Sequence, residues 1–171
     1  FPAKKIVNRV PELVKKLRKE QNKFVWFKAA SALMTTDTRP KVAYEETKIG
    51  NKLIKISGVA KGSGMIAPNM ATMGAMIFTD ANIPSVFLKS ILKKITATTF
   101  NAISVDGDQS TNDSVFLFST SKVKHGKIYN VLDPKLQDFE KALHRLCLNL
   151  SKQIVVDGEG AKKFITINVI G

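Results

Sequence analysis

Apolar residues recur at intervals of three and four in four parts of the chain, the spacing that places them on one face of an α-helix. These parts are residues 10–17, 24–33, 84–95 and 136–154. Proline suits the first turn of a helix, where no backbone N–H is needed, and Pro11 and Pro84 stand near two of the starts. The pattern therefore predicts four helices. We expect Trp26 and Phe27 to pack in the core, and Cys147 to be a small core residue of the last helix.

The intervening segments are extended in pattern. Residues 42–47 and 53–57, joined through Gly50 and Asn51, predict a β-hairpin. Residues 71–79 are small and apolar without clean alternation, which predicts a strand that is buried on both faces. Further strands are predicted at 115–119 and 164–170. No internal repeat or linker is visible, so residues 1–171 are predicted to form one α+β domain, with helices layered on a mixed or antiparallel sheet.

Composition narrows the class of protein. The chain of 171 residues has a formal charge of +13 but only four arginines, and Asp and Glu are interspersed among its lysines. Arginine is the residue that reads bases best, so we expect no nucleic-acid partner. No apolar run is long enough to span a membrane. The single cysteine excludes an internal disulfide and a cysteine-based zinc site, and favours a cytoplasmic location. Because the first residue is not Met, we expect a piece of a longer protein.

Four loops are more polar and richer in glycine than simple connections require. They are residues 35–38, 61–73, 106–113 and 158–160. Taken singly, they suit a helix cap, a flexible corner, a calcium loop or turn, and a helix end. A calcium EF-hand loop counted from Asp106 requires Glu at its twelfth position, where Leu117 stands. Residues 61–64 lack the Gly-Lys-Ser/Thr ending of a phosphate loop. We therefore expect no metal.

Taken together, the loops resemble one family. Lys-Gly-Ser-Gly-Met-Ile-Ala-Pro-Asn-Met-Ala-Thr-Met at 61–73 is similar to the self-cleavage segment of the ornithine acetyltransferases, also called bifunctional glutamate N-acetyltransferases. Phe-Asn-Ala-Ile-Ser-Val-Asp-Gly-Asp at 100–108, with Ser-Thr-Asn-Asp at 110–113, resembles a second hallmark. Met-Thr-Thr-Asp-Thr at 34–38 and Asp-Gly-Glu-Gly-Ala at 157–161 resemble two more. The motifs follow the family's order and cover nearly the whole chain.

The resemblance implies a fold of the N-terminal-nucleophile type, in which helices pack around a central pair of sheets. It implies self-cleavage between Ala71 and Thr72, giving a heterodimer of residues 1–71 and 72–171. Thr72 is then the catalytic nucleophile. It takes acetyl from N-acetylornithine and passes it to glutamate through an acetyl-threonine intermediate, in arginine biosynthesis. No cofactor is implied; some members use acetyl-CoA, which is a substrate.

The chemistry of the residues supports this interpretation independently. A threonine hydroxyl needs a base beside it before it acts as a nucleophile. Cleavage before Thr72 frees an amine, whose unperturbed pKa of about 7.7–8.0 suits general-base catalysis. A strained peptide bond after the Gly- and Pro-rich loop would favour attack by the hydroxyl, through an N-to-O acyl shift. Strain at this bond is a hypothesis.

Matching positions implies further roles. Thr35 and Lys61 would line the substrate pocket, where Lys61 would hold the α-carboxylate or orient the acyl group. Glu159, between two glycines, would face the substrate's amino group. The alternatives are a solvated Lys61 and a helix-end Glu159. We interpret residues 106–113 mainly as a scaffold whose side chains bind local backbone.

The chain departs from the family at Lys162, where a threonine is usual. The family's Thr-Gly oxyanion element would precede residue 1, and its Asn and Thr ligands would follow residue 171. Two other classes of function remain open. One is a self-processing aminopeptidase or amidohydrolase, which passes the acyl group to water. The other is an inactive fragment or a basic binding module.

Overall fold

A computed structural model describes residues 2–17, 22–168 and 170. The helices are α1 (Ala3–Val7), α2 (Val10–Lys15), α3 (Lys23–Leu33), α4 (Ser85–Ala97) and α5 (Gln137–Val156). The strands are β1 (Lys41–Ile49), β2 (Lys52–Lys61), β3 (Ile66–Ala67), β4 (Met70–Ala71), β5 (Gly74–Ala81) and β6 (Ser114–Val123). Short 3-10 turns cover Phe100–Ala102 and Pro134–Leu136.

Four strands form a mixed sheet in the order β1-β2-β5-β6. The first three are antiparallel neighbours, and β6 lies parallel to β5, with α4 in the connection between them. The predicted hairpin is confirmed: β1 and β2 turn at Gly50, whose φ of +60° is easy for glycine. The predicted α+β class, with helices on a mixed sheet, is confirmed. The second sheet of the described residues is the small ribbon of β3 and β4.

Helices α4 and α5 cover one face of the sheet and form the core with it. Leu88, Ile91 and Ile95 of α4 are buried, and α5 buries eight residues, including Cys147, as expected. Gly58 in β2 allows α5 to lie close to the sheet. A Cβ at this position would stand 2.9 Å from Leu150 Cδ1. Both helices were predicted from their periodicity, and both are confirmed.

The opposite face is only partly covered. Helix α3 contacts β1 and β2, and the Trp26 ring lies 5.5 Å from that of Phe78. Phe27, which was predicted to be in the core, is 52% exposed, so that prediction is wrong. The predicted two-sided burial of residues 71–79 is also wrong: β5 begins at Gly74 and alternates, with Ile77 buried and Met76 exposed.

The two terminal predictions have opposite outcomes. The helix predicted at 10–17 is confirmed as α2, with Pro11 in its first turn, although α2 buries none of its residues. Residues 164–168 are irregular and exposed where a strand was predicted, and Val169 lies outside the described residues. Within the described part of the chain, no helix has both the length and the apolar character needed to cross a membrane.

Candidate active site

Thr72 lies in a bend between β4 and β5, two residues before β5 begins at Gly74. Its backbone N–H donates to the carbonyl oxygen of Met65 at 2.7 Å. Its hydroxyl oxygen is buried and has no hydrogen-bond partner among the described residues. Every other buried side-chain nitrogen or oxygen in the described part of the chain has a hydrogen-bond partner. An unpaired buried polar atom costs about 1–3 kcal/mol. Such an atom calls for an explanation, and a nucleophile that awaits its reaction partner is one.

The loop that leads to Thr72 contains three residues in the left-handed region. Gly62, Met65 and Asn69 have φ of +143°, +54° and +66°. A Cβ on Gly62 would lie 3.3 Å from the carbonyl oxygen of Thr72, so glycine permits this close approach. Methionine and asparagine at positive φ cost free energy that the surrounding contacts must offset. These values place strain within the loop. The strain hypothesised for the Ala71–Thr72 bond itself stays a prediction.

Asp106 holds this loop from outside. Its Oδ2 accepts from the N–H of Met65 at 2.6 Å, and its Oδ1 accepts from Ile66 at 3.0 Å and from Asp108 at 3.1 Å. Burial would raise the pKa of Asp106, but these backbone donors outweigh burial and lower it. Sequence reasoning expected bonds to local backbone only. The structure shows that the carboxylate also reaches the loop of Thr72.

Lys61 and Thr35 meet beside the same loop. The Lys61 ammonium donates to Thr35 Oγ1 at 3.1 Å. Lys61 ends β2, where it pairs in register with Gly74, two residues after Thr72. The structure therefore brings together two of the residues that the resemblance places in a substrate pocket. Their roles stay a prediction.

Glu159 reaches the loop from the end of α5. Its backbone N–H donates to the carbonyl of Ser63 at 2.7 Å. Its Oε2 lies 2.7 Å from the point that a Cβ on Gly64 would occupy, so the absence of a side chain at Gly64 makes room for the carboxylate. Glu159 follows the helix end and also packs against residues 61–73. All the predicted site residues thus border one loop.

The sequence did not predict a cluster of three charged residues next to these segments, Lys41, Asp37 and Asp157. The ammonium of Lys41 is 2.6 Å from Asp37 Oδ1 and 2.7 Å from Asp157 Oδ2. The Lys41 and Asp37 side chains are 0% exposed. Asp37 and Asp157 stand inside two of the recognised motifs, which was an available signal. Lys41 gave none, because a lysine at a strand start is normally exposed.

The larger clefts lie elsewhere. One of about 920 Å³ lies between α4 and β6, and another of about 800 Å³ lies between α3 and the sheet. Neither is lined by Thr72, Lys61 or Glu159. The substrate pocket therefore stays a prediction.

Solved structures show a weak likeness to the chain. A protein from Pyrococcus horikoshii OT3 covers 70% of this chain and 40% of its own, with a TM-score of 0.47 and 13% identity. The L-aminopeptidase D-Ala-esterase/amidase from Ochrobactrum anthropi, described as a new variant among the Ntn hydrolase fold, has the same coverage, a TM-score of 0.41 and 10% identity.

Comparison with known sequences is decisive for the family. The chain is 47% identical over 167 residues to the arginine biosynthesis bifunctional protein ArgJ of Caulobacter vibrioides, and 46% identical over 170 residues to that of Neisseria meningitidis serogroup A. These matches cover 98% and 99% of the chain, which spans 40% of the length of each relative. The ArgJ family model matches residues 1–171, and the chain belongs to the ArgJ family.

Proposed function

We propose that the protein carrying this chain transfers an acetyl group from N-acetylornithine to glutamate in arginine biosynthesis. The observation that carries the proposal is the buried hydroxyl of Thr72, which has no hydrogen-bond partner among the described residues and lies in a loop bordered by Lys61 and Glu159. Membership in the ArgJ family and the names of the relatives support the pathway. A hydroxyl without a competing hydrogen bond is free to attack a carbonyl.

The first step is self-cleavage. Thr72 Oγ1 attacks the carbonyl carbon of Ala71, the C–N bond breaks, and the hydroxyl proton goes to the departing nitrogen. The product is an ester between Ala71 and the threonine oxygen, beside a free α-amine on Thr72. Water then hydrolyses this ester, which restores the hydroxyl and leaves a carboxylate on Ala71. The products are residues 1–71 and 72–171, held together as a heterodimer.

The second step is acetyl transfer. The new amine takes the hydroxyl proton while Thr72 Oγ1 attacks the acetyl carbonyl of N-acetylornithine. The amide C–N bond breaks, and ornithine leaves with the proton on its amine. The amine of glutamate then attacks the acetyl ester, and N-acetylglutamate departs as Thr72 regains its proton. Hydrolysis by water would release acetate instead, which is the reaction of the related amidohydrolases.

The remaining groups recognise the substrate. The Lys61 ammonium, held on Thr35 Oγ1, binds the α-carboxylate shared by N-acetylornithine and glutamate. Glu159 faces the substrate's amino group. The substrates are small amino acids, acetyl-CoA is an alternative donor, and no cofactor takes part. We also propose a cytoplasmic location, where amino-acid biosynthesis occurs.

The test uses the complete natural chain that carries residues 1–171. Incubation with N-acetylornithine and glutamate should give ornithine and N-acetylglutamate in equal amounts, measured by mass spectrometry. Acetate release without N-acetylglutamate would establish the hydrolase instead. Absence of both products, together with an uncleaved chain, would support the inactive or binding-module alternative. The Thr72→Ala variant is the control for background turnover.

The 171-residue chain itself should be assayed beside the complete one. The oxyanion donors implied by the resemblance lie outside it, and loss of one such donor costs on the order of 10²–10³ in rate. We therefore expect self-cleavage to survive better than acetyl transfer in the short chain.

A further inference from the structure

We propose that Lys41 is a positioning residue that holds in place the three segments carrying Thr35, Lys61 and Glu159. The inference rests on the proposed acetyl transfer and deepens it, because it names what fixes the substrate-binding groups. Lys41 opens β1, and among the described residues its side chain makes no hydrogen bond to Thr72, Lys61 or Glu159. Its side chain is fully buried, and a lysine is rarely buried unless its charge is paired.

The Lys41 ammonium is fully engaged. It donates to Asp37 Oδ1 at 2.6 Å, to Asp157 Oδ2 at 2.7 Å and to the carbonyl of Arg39 at 3.4 Å. An ammonium has three donors, and these three acceptors match them. One cation therefore joins two buried carboxylates that come from distant parts of the chain. Without it, the two negative charges would repel each other in a region of low dielectric.

Asp37 links Lys41 to the segments that carry Thr35 and Lys61. Its Oδ1 also accepts from the N–H of Gly62 at 2.7 Å, and its Oδ2 accepts from the N–H of Thr35 at 3.1 Å. Gly62 directly follows Lys61. A single carboxylate thus fixes the backbone beside both members of the pair formed by Lys61 and Thr35.

Asp157 links Lys41 to the segment that carries Glu159. It accepts from the N–H of Thr38 at 3.0 Å and from the hydroxyl of Thr38. It also ends α5, two residues before Glu159. The turn that begins at Asp157 brings the N–H of Glu159 onto the carbonyl of Ser63 at 2.7 Å. The direction in which Glu159 leaves the helix therefore depends on Asp157.

Stability alone does not account for such a cluster. Well-packed apolar residues often stabilise a protein as well as a buried ion pair does, since charges lose hydration on burial. Ion pairs with several directed hydrogen bonds differ in that they fix geometry. The carboxylates of Asp37 and Asp157 both have lowered pKa values, because donors that include Lys41 outweigh the effect of burial. Both carboxylates are thus kept ionised.

In the described part of the chain, the cluster meets the self-cleavage loop through one hydrogen bond, from the N–H of Gly62 to Asp37 Oδ1. Among the described residues, Lys41, Asp37 and Asp157 make no hydrogen bond to Thr72, Met65 or Asp106. Loosening it should therefore weaken substrate binding more than it slows cleavage. This difference gives a readout that a merely structural role would not produce.

The experiment compares Lys41→Met, Lys41→Arg and Asp37→Asn in the complete natural chain. Lys94→Met is the matched control, because Lys94 of α4 forms an ion pair with Glu140 near the start of α5. Active sites are counted as acetylated Thr72 by mass spectrometry, so that kinetic constants refer to processed enzyme. KM is measured for N-acetylornithine and for glutamate, alongside kcat, the cleavage rate and the melting temperature.

We expect Lys41→Met to raise both KM values by about tenfold or more, since small misplacements of binding groups have effects of this size. Lys41→Arg keeps the charge and should recover part of the loss. Asp37→Asn presents a donor to the Thr35 N–H in place of an acceptor, and should also raise KM. Cleavage should slow by a smaller factor than KM rises in all of these variants, and Lys94→Met should match the parent throughout.

Parental KM values in Lys41→Met and Asp37→Asn, with only a lower melting temperature, would overturn the inference and leave the proposed function intact. If Lys41→Met does not fold, the KM of Asp37→Asn, which keeps the side-chain volume, decides the matter. A parent enzyme that yields no N-acetylglutamate would instead refute the proposed function. The two failures are therefore distinguishable.

Discussion

The backbone N–H of Thr72 donates to the carbonyl of Met65 at 2.7 Å, while the hydroxyl of the same threonine has no partner among the described residues. The nitrogen of the proposed scissile bond is therefore held, and the attacking oxygen is free. After cleavage that nitrogen becomes an amine, and one of its N–H groups can still donate to the carbonyl oxygen of Met65. The same hydrogen bond would then help to orient the base beside the hydroxyl that it must deprotonate.

Thr72→Ala should abolish self-cleavage, because it removes the attacking oxygen. The variant should remain a single chain of about the calculated 18.8 kDa, whereas the parent should give residues 1–71 and 72–171. Thr72→Ser keeps the hydroxyl and should still cleave. Intact-mass spectrometry of freshly prepared protein distinguishes these outcomes.

Thr79→Val is the matched control for this prediction. It removes another buried hydroxyl, which donates to the carbonyl of Lys55 at 3.0 Å, and it should cleave like the parent. Two fragments from the Thr72→Ala chain would show that a different residue is the nucleophile.

Asp106→Asn should slow self-cleavage. The amide offers one acceptor oxygen where the carboxylate binds the N–H groups of both Met65 and Ile66, so one of these loses its partner. A hydrogen bond to a charged group contributes about 1.5–3 kcal/mol. Asp106 is exposed, so we expect about 1 kcal/mol, or roughly a fivefold effect, if the held loop is needed in the transition state.

Asp108→Asn provides the comparison for Asp106. Asp108 gives its backbone N–H to the same carboxylate, and this donor survives the substitution. The time course of fragment formation on denaturing gels measures both variants. Equal rates for Asp106→Asn and the parent would exclude a role of the carboxylate in shaping the cleavage loop.

Gly64→Ala should impair substrate binding without loss of the fold. The new methyl group would lie 2.7 Å from Glu159 Oε2, so the carboxylate, which is the far end of a flexible side chain, must move. If Glu159 faces the substrate's amino group, KM should rise while the melting temperature stays close to that of the parent. Gly126→Ala, where the nearest atom would be 3.8 Å away, is the control. An unchanged KM in Gly64→Ala would argue that Glu159 plays no part in binding.

The sequence predicted well those elements whose signals are local. The hairpin followed from turn residues at Gly50 and Asn51, and α4 and α5 followed from their apolar spacing. The same spacing also predicted the helix at 10–17, which α2 forms, but no residue of α2 is buried. An apolar stripe shows that a helix has a face to bury, but it does not show that a partner lies within these residues. Alternation at 164–168 failed for the same reason, because a strand needs a neighbour to satisfy its backbone.

The motifs pointed to the proposed site residues but not to the buried charges that support them. Thr35, Lys61, Thr72 and Glu159 were named from motifs, and the structure places them around one loop. The ion pair between Lys41 and Asp157 was not predictable, because the two residues are 116 positions apart and meet only through the tertiary fold. Charge pattern alone assigns a lysine to the surface. Only the tertiary fold shows that this lysine is buried.

Cys147 should be unreactive in the folded protein. Its side chain is buried in α5, and burial raises the pKa of the thiol to about 12. Since the thiolate is the reactive form, a thiol reagent at pH 8 should modify it only when the helix opens. Absorbance with such a reagent should therefore show slow reaction that becomes fast in urea. Cys147→Ala with Ser114→Cys, a position that is exposed, should react at once; a fast parent reaction would contradict the packing of α5.

Asp157 should make the protein lose stability in acid. Burial would raise its pKa, but hydrogen bonds from Lys41 and Thr38 lower it to about 2 in the folded state, against about 3.9 in an unfolded chain. As the pH falls below about 4, the unfolded chain binds a proton before the folded one does, so the free energy of unfolding decreases until the pH reaches about 2. The contribution that is present above pH 4 and lost in this window is on the order of 2 kcal/mol. Urea unfolding of the parent and of Asp157→Asn at several pH values should show a stability difference that is largest near neutral pH and shrinks towards pH 2. A difference that stays constant over this range would mean that Asp157 does not titrate as the cluster requires.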